Sequence, residues 1–149
     1  MNWKRIALLV ALVVLVILQF FVKKDNVSSY ESVALFENSV QIPIEVKQIF
    51  ESNCYDCHSA HTNYPWYASI GAVNLVLDHH IEEAREHLDF SNWDKYSTER
   101  QLHKLAEVYE EVEEGEMPLK MYRVIHGDLS DAENKVLLNW ASKYKEESH

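Results

Sequence analysis

Ile6 to Val22 (IALLVALVVLVILQFFV) is a run of 17 residues, apolar except at Gln19, with Lys4 and Arg5 before it and Lys23 and Lys24 after it. At roughly 1.5 Å per residue such a run lies near the lower limit for a helix that crosses a bilayer, and Trp3 suits an interfacial anchor. The pattern predicts one N-terminal transmembrane helix. No A-x-A-like site follows the run, so residues 1–24 are expected to stay in place as an anchor and not to be removed as a secretory signal. The flanking charges are nearly symmetrical and leave its orientation open.

Beyond Lys24 the period changes. Residues 25–41 mix Ser, Asn and acids with isolated apolar positions, and this predicts a tether that lays Val33, Leu35 and Phe36 against a domain. Residues 42–149 carry helical spacing. Pro43 suits a first helical turn, and Val46, Ile49, Phe50 and Asn53 lead from it toward Cys54. Thr62 to Tyr67 is a loop of three aromatics around Pro65, which stops a helix there. Ile70 to Leu88 predicts a helix with Val73, Leu77, Ile81, Ala84 and Leu88 along one face. Another starts near Thr98 with a Thr98/Gln101 capping box and ends at Gly115. Ser130 and Glu133 form a second capping box, opening a last helix with Val136, Leu137, Trp140 and Tyr144 on one face. With three glycines, three prolines, little β-type alternation and no fixed repeat, the fold class is all-α.

Charge separates the two parts. All 24 acidic residues but only ten of the 14 basic ones follow Lys24, leaving a net charge of −14 on the polar portion. Such a surface repels nucleic acid and anionic headgroups. It serves solubility, or steers a protein partner with a basic docking face. Glu107, Glu110, Glu111, Glu113 and Glu114 concentrate the charge at one helix end.

The chemistry sits in Cys54-Tyr55-Asp56-Cys57-His58, which holds the only two cysteines of the chain. Cys-x-x-Cys-His is the attachment pattern of c-type haem: two sulfurs form thioethers to one porphyrin edge, and the adjacent imidazole becomes the proximal iron ligand. A structural zinc site would want a second ligand pair at recognisable spacing, and a thioredoxin-like dithiol would want a βαβ setting. Neither is present in the pattern. An electron carrier also needs a ligand on the opposite face of the ring. Met117, on the Met-Pro stretch before the last capped helix, is the expected distal ligand, with His126 as its rival. Tyr64, Trp66, Tyr67 and Arg85 are candidates for contacts with the haem edge. His79 and His80, adjacent on a helix, point about 100° apart and suit solvation better than joint ligation of one ion.

A helix running into Cys54-x-x-Cys57-His58, a Met117-Pro118 loop, and Leu129-Ser130-Asp131-Ala132-Glu133 opening a terminal helix with Trp140 resemble the class I cytochrome c arrangement. More narrowly, Asn53 to Ser59, Thr62 to Tyr67, His79-His80, Phe90-Ser91-x-Trp93, and Met117-Pro118 with Tyr122 and His126 resemble the small bacterial haem-binding domain family of membrane-anchored c-type cytochromes, over roughly residues 40 to 145. Ala72, Ala84 and Asp89 stand where relatives often carry Pro, Gly and Asn. The resemblance implies one covalent haem c with His58 proximal and Met117 distal. It also implies a single-pass protein of the bacterial inner (cytoplasmic) membrane, with the haem domain on the periplasmic side, because thioether attachment in known families takes place there. The expected activity is single-electron transfer between redox partners, and not catalysis. The alternatives are a haem peroxidase or gas or redox sensor with a labile sixth ligand, and a structural membrane adaptor that uses its cysteines differently.

Overall fold

The structure, a computed structural model, describes residues 2–26 and 29–147. Among these residues all regular structure is helical. Helix α1 (Trp3–Leu18) continues as a 3-10 turn, Gln19–Phe21, and none of its residues is buried. Together they make a 19-residue helix apolar enough to cross a membrane, with mean hydropathy 2.3. A 3-10 turn at Tyr30–Val33 leads into α2 (Ala34–Val40), followed by α3 (Ile44–Asn53) and α4 (Tyr55–His58). A turn at Trp66–Ser69 precedes α5 (Gly71–His87), and a turn at Phe90–Lys95 precedes α6 (Thr98–Glu113). The chain closes with α7 (Lys120–His126) and α8 (Asp131–Glu147).

One aromatic cluster sits at the centre. Phe36, Phe50, Tyr55, Phe90 and Trp93 are each at most 2 % exposed. Their rings meet edge-on or tilted, apart from the stacked pair Phe90 and Trp93, with centroids 4.4 Å apart for Phe36 and Phe90 and 4.9 Å for Phe36 and Trp93. Such arrangements add to the area-based gain because ring edges are positive and ring faces negative. Helix α6 packs along α8, and Leu105, Val112, Leu137, Trp140 and Tyr144 extend the same core.

Residues 25–41 lie against the domain at two of the three positions expected. Val33 and Phe36 are fully buried, and Glu37 on α2 accepts hydrogen bonds from the Tyr55 hydroxyl at 3.2 Å and from Lys47 at 2.7 Å. Leu35, expected with them against the domain, is 60 % exposed. A seven-residue helix is too short to persist alone. The aromatic contacts of Phe36 hold it in place.

Two further elements differ from expectation in detail. Helix α6 is capped by Ser97, whose Oγ accepts from the Arg100 N–H, and not by Thr98. Gln101 instead donates from its side chain to the Trp93 carbonyl. On α5 the buried residues are Gly71, Asn74, Ile81 and Ala84, while Val73 faces outward. Asn74 replaces it on the inner side because its amide exchanges two hydrogen bonds with the backbone of Lys23.

The box before α8 forms as expected. The Ser130 N–H donates to Glu133 Oε2 at 2.9 Å, and the Glu133 N–H donates back to Ser130 Oγ. These bonds from the Ser130 hydroxyl and N–H hold the Glu133 carboxyl below its ordinary value. Replacing Ser130 by Ala is expected to cost about 1 kcal/mol at neutral pH. Because the folded pKa is the lower one, the carboxylate's contribution is full above the unfolded value of about 4.3 and is lost as pH falls through the folded value. The gap in thermal stability between wild type and Ser130→Ala should therefore narrow in acid, leaving the share of the Glu133 N–H bond to Ser130 Oγ, which does not titrate.

Candidate functional site

The Cys-x-x-Cys-His motif lies where two helices meet at a break. Helix α3 ends at Asn53, Cys54 leaves helical geometry at φ −121° and ψ −49°, and α4 carries Tyr55 to His58. The Cys57 and His58 N–H groups both donate to the Cys54 carbonyl, which closes the turn. Tyr55 points into the core and fixes the turn from beneath. The segment after the motif folds back over it. The Thr62 hydroxyl donates to the Asp56 carbonyl at 2.6 Å, and the Asn63 N–H donates to the Asp56 carboxylate at 2.8 Å. Asn26, within the segment read as tether, exchanges two bonds of 2.8 Å with the backbone of Thr62.

Both thiols are free. Burial pushes the Cys54 thiol up to about 12 and the Cys57 thiol up to about 11, the latter opposed by the nearby Arg85 guanidinium. His58 lies with Nδ1 2.9 Å from the carbonyl oxygen of Leu88, at the end of α5, and its ring is edge-on to Phe90 at 6.4 Å. Burial lowers its pKa, so the imidazole is neutral near pH 7. A carbonyl can only accept, so Nδ1 carries the proton and Nε2 keeps its lone pair. A ligating histidine is held in this way: its second nitrogen is tied to a backbone carbonyl, which sets both tautomer and ring orientation.

Arg85 donates from Nη2 to Thr62 Oγ1 at 3.1 Å, while its Nε is buried without a partner. An orphaned guanidinium N–H costs free energy. Such a buried cationic donor suits a carboxylate, the group a haem propionate carries. Two free thiols, one neutral imidazole with a prepared nitrogen, and one unsatisfied cationic donor therefore fit a haem. Among the described residues no group of three or more His, Cys, Asp or Glu side chains is arranged to hold a metal ion directly.

The remaining candidates separate into two sets. Tyr67 and His126 come together, the hydroxyl sharing a hydrogen bond with His126 Nε2, and His126 stacks on Tyr122 at 4.4 Å and 19°. Tyr64 hydrogen-bonds to the Asp25 carbonyl at 3.2 Å and lies within the field of Arg85 and Cys57. Met117 sits half-buried beyond the end of α6, against the main core, with its N–H donating to the Glu111 carbonyl at 3.0 Å. Trp66 is 80 % exposed and touches Tyr67 edge-on. His79 and His80 both lie 3.6 Å from Glu83 on the surface.

Two contributors were given no role at the site by the sequence, although Tyr122 was among the residues that carry the resemblance. Tyr122 reaches back to α3, its hydroxyl donating to the Ser52 carbonyl at 3.1 Å, and burial pushes its pKa up to about 12 with Asp56, Cys57 and Cys54 adding to the rise. The signal was its helical i, i+4 spacing to His126. The Leu88 carbonyl had no signal, because every residue carries one.

Neither the curated proteins nor the solved structures yield a match to this chain. Among protein families, the haem-binding domain family matches residues 13–143, which takes in the last six residues of α1, the segment 25–41 and all the elements that build the site. With most of its length matched, and with a donor set that fits the prosthetic group, the chain belongs to the haem-binding domain family and is a haem-binding protein.

Proposed function

We propose that this haem-binding protein is a membrane-anchored, single-haem c-type cytochrome that passes single electrons between redox partners. The observation that carries the reading is the His58 Nδ1 to Leu88 carbonyl contact of 2.9 Å, one residue beyond a pair of free thiols. Cys54 and Cys57 would hold the group by thioethers and His58 would supply the proximal nitrogen. A bound haem supplies a one-electron couple.

The chain's own residues account for the rest of the site. The Leu88 carbonyl orients the imidazole and raises its basicity. Arg85, already fixed by Thr62, offers its unpaired Nε–H to a propionate. The buried aromatic cluster beneath Tyr55 keeps water from the proximal side. Met117 is the proposed distal ligand because its thioether has no hydrogen bond to give up. His126 is the second candidate, favoured by its closeness to Tyr67 and Tyr122, but ligation through Nε2 would require release of the Tyr67 hydroxyl. The apolar helix Trp3–Phe21 supports anchoring, in the proposed setting the cytoplasmic membrane of a bacterium with the domain on the outer side. The acidic end of α6 suits a redox partner with a basic docking face and repels nucleic acid.

An alkaline pyridine spectrum of protein made in a host that matures c-type cytochromes tests the covalent attachment. The expected result is a c-type absorption that stays with the polypeptide after denaturation and acid-acetone extraction. Colour that is extracted completely would overturn thioether attachment and leave a non-covalent haem protein.

A further inference from the structure

Helix α1 does not end in open chain. Its last turn lies against the first turn of α5, so closely that a Cβ on Gly71 would stand 2.3 Å from the Leu18 carbonyl oxygen. Gln19 bridges the junction, its Oε1 accepting from the Gly71 N–H at 3.0 Å and its Nε2 donating to the Ser69 carbonyl. One step further, Asn74, 1 % exposed, exchanges two bonds of 2.7 Å with the backbone of Lys23. Lys23 Nζ lies 3.8 Å from Asp78. The depth of α1 therefore dictates the depth of α5.

The 16 α-helical residues of α1 and the three of its 3-10 turn extend about 30 Å at ~1.5 and ~2.0 Å per residue, the thickness of a bilayer's hydrocarbon layer. Leu18 precedes the end of that span by three residues, about 6 Å along the axis. Gly71 touches Leu18, so the start of α5 lies at or inside the hydrocarbon edge. The surface it presents fits that position. Ile70, Val73, Leu75 and Val76 are 44, 39, 55 and 47 % exposed. The exposed side of the helix then turns polar at His79, His80 and Glu83, at the level where Lys23 meets Asp78. Trp66 is 80 % exposed on a 3-10 turn whose three-residue repeat puts it on the side of Ser69, and Ser69 Oγ accepts from Lys24 Nζ at 3.0 Å.

We propose that Ile70 and the first two turns of α5, with Trp66 beside them, insert into the interfacial layer of the lipid bilayer as a second membrane contact. The proposal rests on the reading of α1 as a membrane anchor. From Ile70 to Val76 the helix rises about 9 Å, within the 5 to 10 Å to which interfacial apolar faces are buried. From Val76 to Leu88 it rises about 18 Å more. α5 thus acts as a strut that holds the Leu88 carbonyl, and with it His58, at a set height above the lipid.

The test uses the haem-loaded full chain in bilayers of phosphatidylcholine and phosphatidylglycerol. In the proposed thioether-linked form its own cysteines are taken up by the haem, so Val76→Cys, Glu83→Cys and Val10→Cys each add one thiol for a nitroxide label. Power saturation then compares relaxation by oxygen with relaxation by a water-soluble nickel chelate. Oxygen is expected to dominate at positions 10 and 76 and the chelate at 83. A label at 76 that behaves like the one at 83, while the one at 10 stays lipid-like, overturns the second contact and leaves the anchor intact. A water-exposed label at 10 removes the anchor, and the proposal falls with it. Shielding from both agents at 76, with spin-spin broadening that vanishes on dilution with unlabelled protein, assigns the patch to a second copy and also overturns it. Should Val76→Cys disturb the haem spectrum, Leu75→Cys reports on the same depth.

Discussion

Met117→Ala in the haem-loaded protein is expected to convert a site that resists carbon monoxide and cyanide into one that binds them readily, and to lower the reduction potential. The candidate distal side chains differ in what each must surrender to reach the iron. A thioether is a soft, neutral ligand that favours ferrous iron, so its loss removes both the sixth bond and the stabilisation of the reduced state. Met117 is presented by a loop clamped to α6, the Glu116 and Met117 N–H groups both donating to the Glu111 carbonyl. His126 already has its Nε2 engaged with Tyr67 and its ring stacked on Tyr122. Stopped-flow mixing with carbon monoxide and a redox titration check both effects, with His126→Ala expected to behave as wild type. An unchanged spectrum in Met117→Ala together with an opened site in His126→Ala would transfer the role to the histidine. Rapid, tight ligand binding by the wild type would favour a peroxidase or sensor over an electron carrier.

The sequence made some of this architecture legible because the signals were local. A capping box is a contact between residues three apart, and the one at Ser130 and Glu133 forms as its spacing dictates. Pro43 marks the start of α3 to within one residue, standing as its N-cap where the first helical turn was expected, whereas the break at Cys54 before the restart to His58 had no signal in that pattern. What the pattern misplaced depends on partners far along the chain. Val73 carries the helical period of α5, yet Asn74 takes the buried position because its amide satisfies the backbone of Lys23, 51 residues away. Val136, expected on the inner face of α8, is 40 % exposed while Leu137 is 1 % exposed. One step around a helix is 100°, and only the direction from which α6 approaches decides between the two.

The site divides in the same manner. The proximal cluster could be anticipated from five adjacent residues, whereas the group that orients His58 is a backbone carbonyl supplied from 30 positions away. Arg85 was a candidate for the haem edge, but the sequence carried no sign of which of its nitrogens would be free. Its unpaired Nε emerges once Thr62 has folded back over Asp56 and engaged the other end of the guanidinium. Tyr67 and His126, 59 residues apart, share no pattern at all. These are tertiary facts, and no periodicity encodes them.

Phe36→Ala is expected to destabilise the protein by about 3 to 5 kcal/mol, a large share of the total for a domain of this size. Phe36 is fully buried, and its ring contacts Phe50, Phe90 and Trp93. Truncation therefore removes apolar burial and opens a cavity between three rings that cannot all close upon it. Leu35→Ala, on the exposed side of the same helix, should stay within about 0.5 kcal/mol. Urea unfolding of the haem-loaded variants measures both, with the midpoint moving for Phe36→Ala at nearly constant slope. Equal, small effects at the two positions would show that α2 contributes little to the core. A large effect confined to Phe36 has a consequence for the site as well. Glu37, the next residue, accepts from the Tyr55 hydroxyl inside the Cys-x-x-Cys-His turn, so loosening α2 should also loosen the platform on which Cys54 and Cys57 stand. Variants at Phe36 are then expected to mature with less covalent haem than variants at Leu35, even when both chains are made in equal amount.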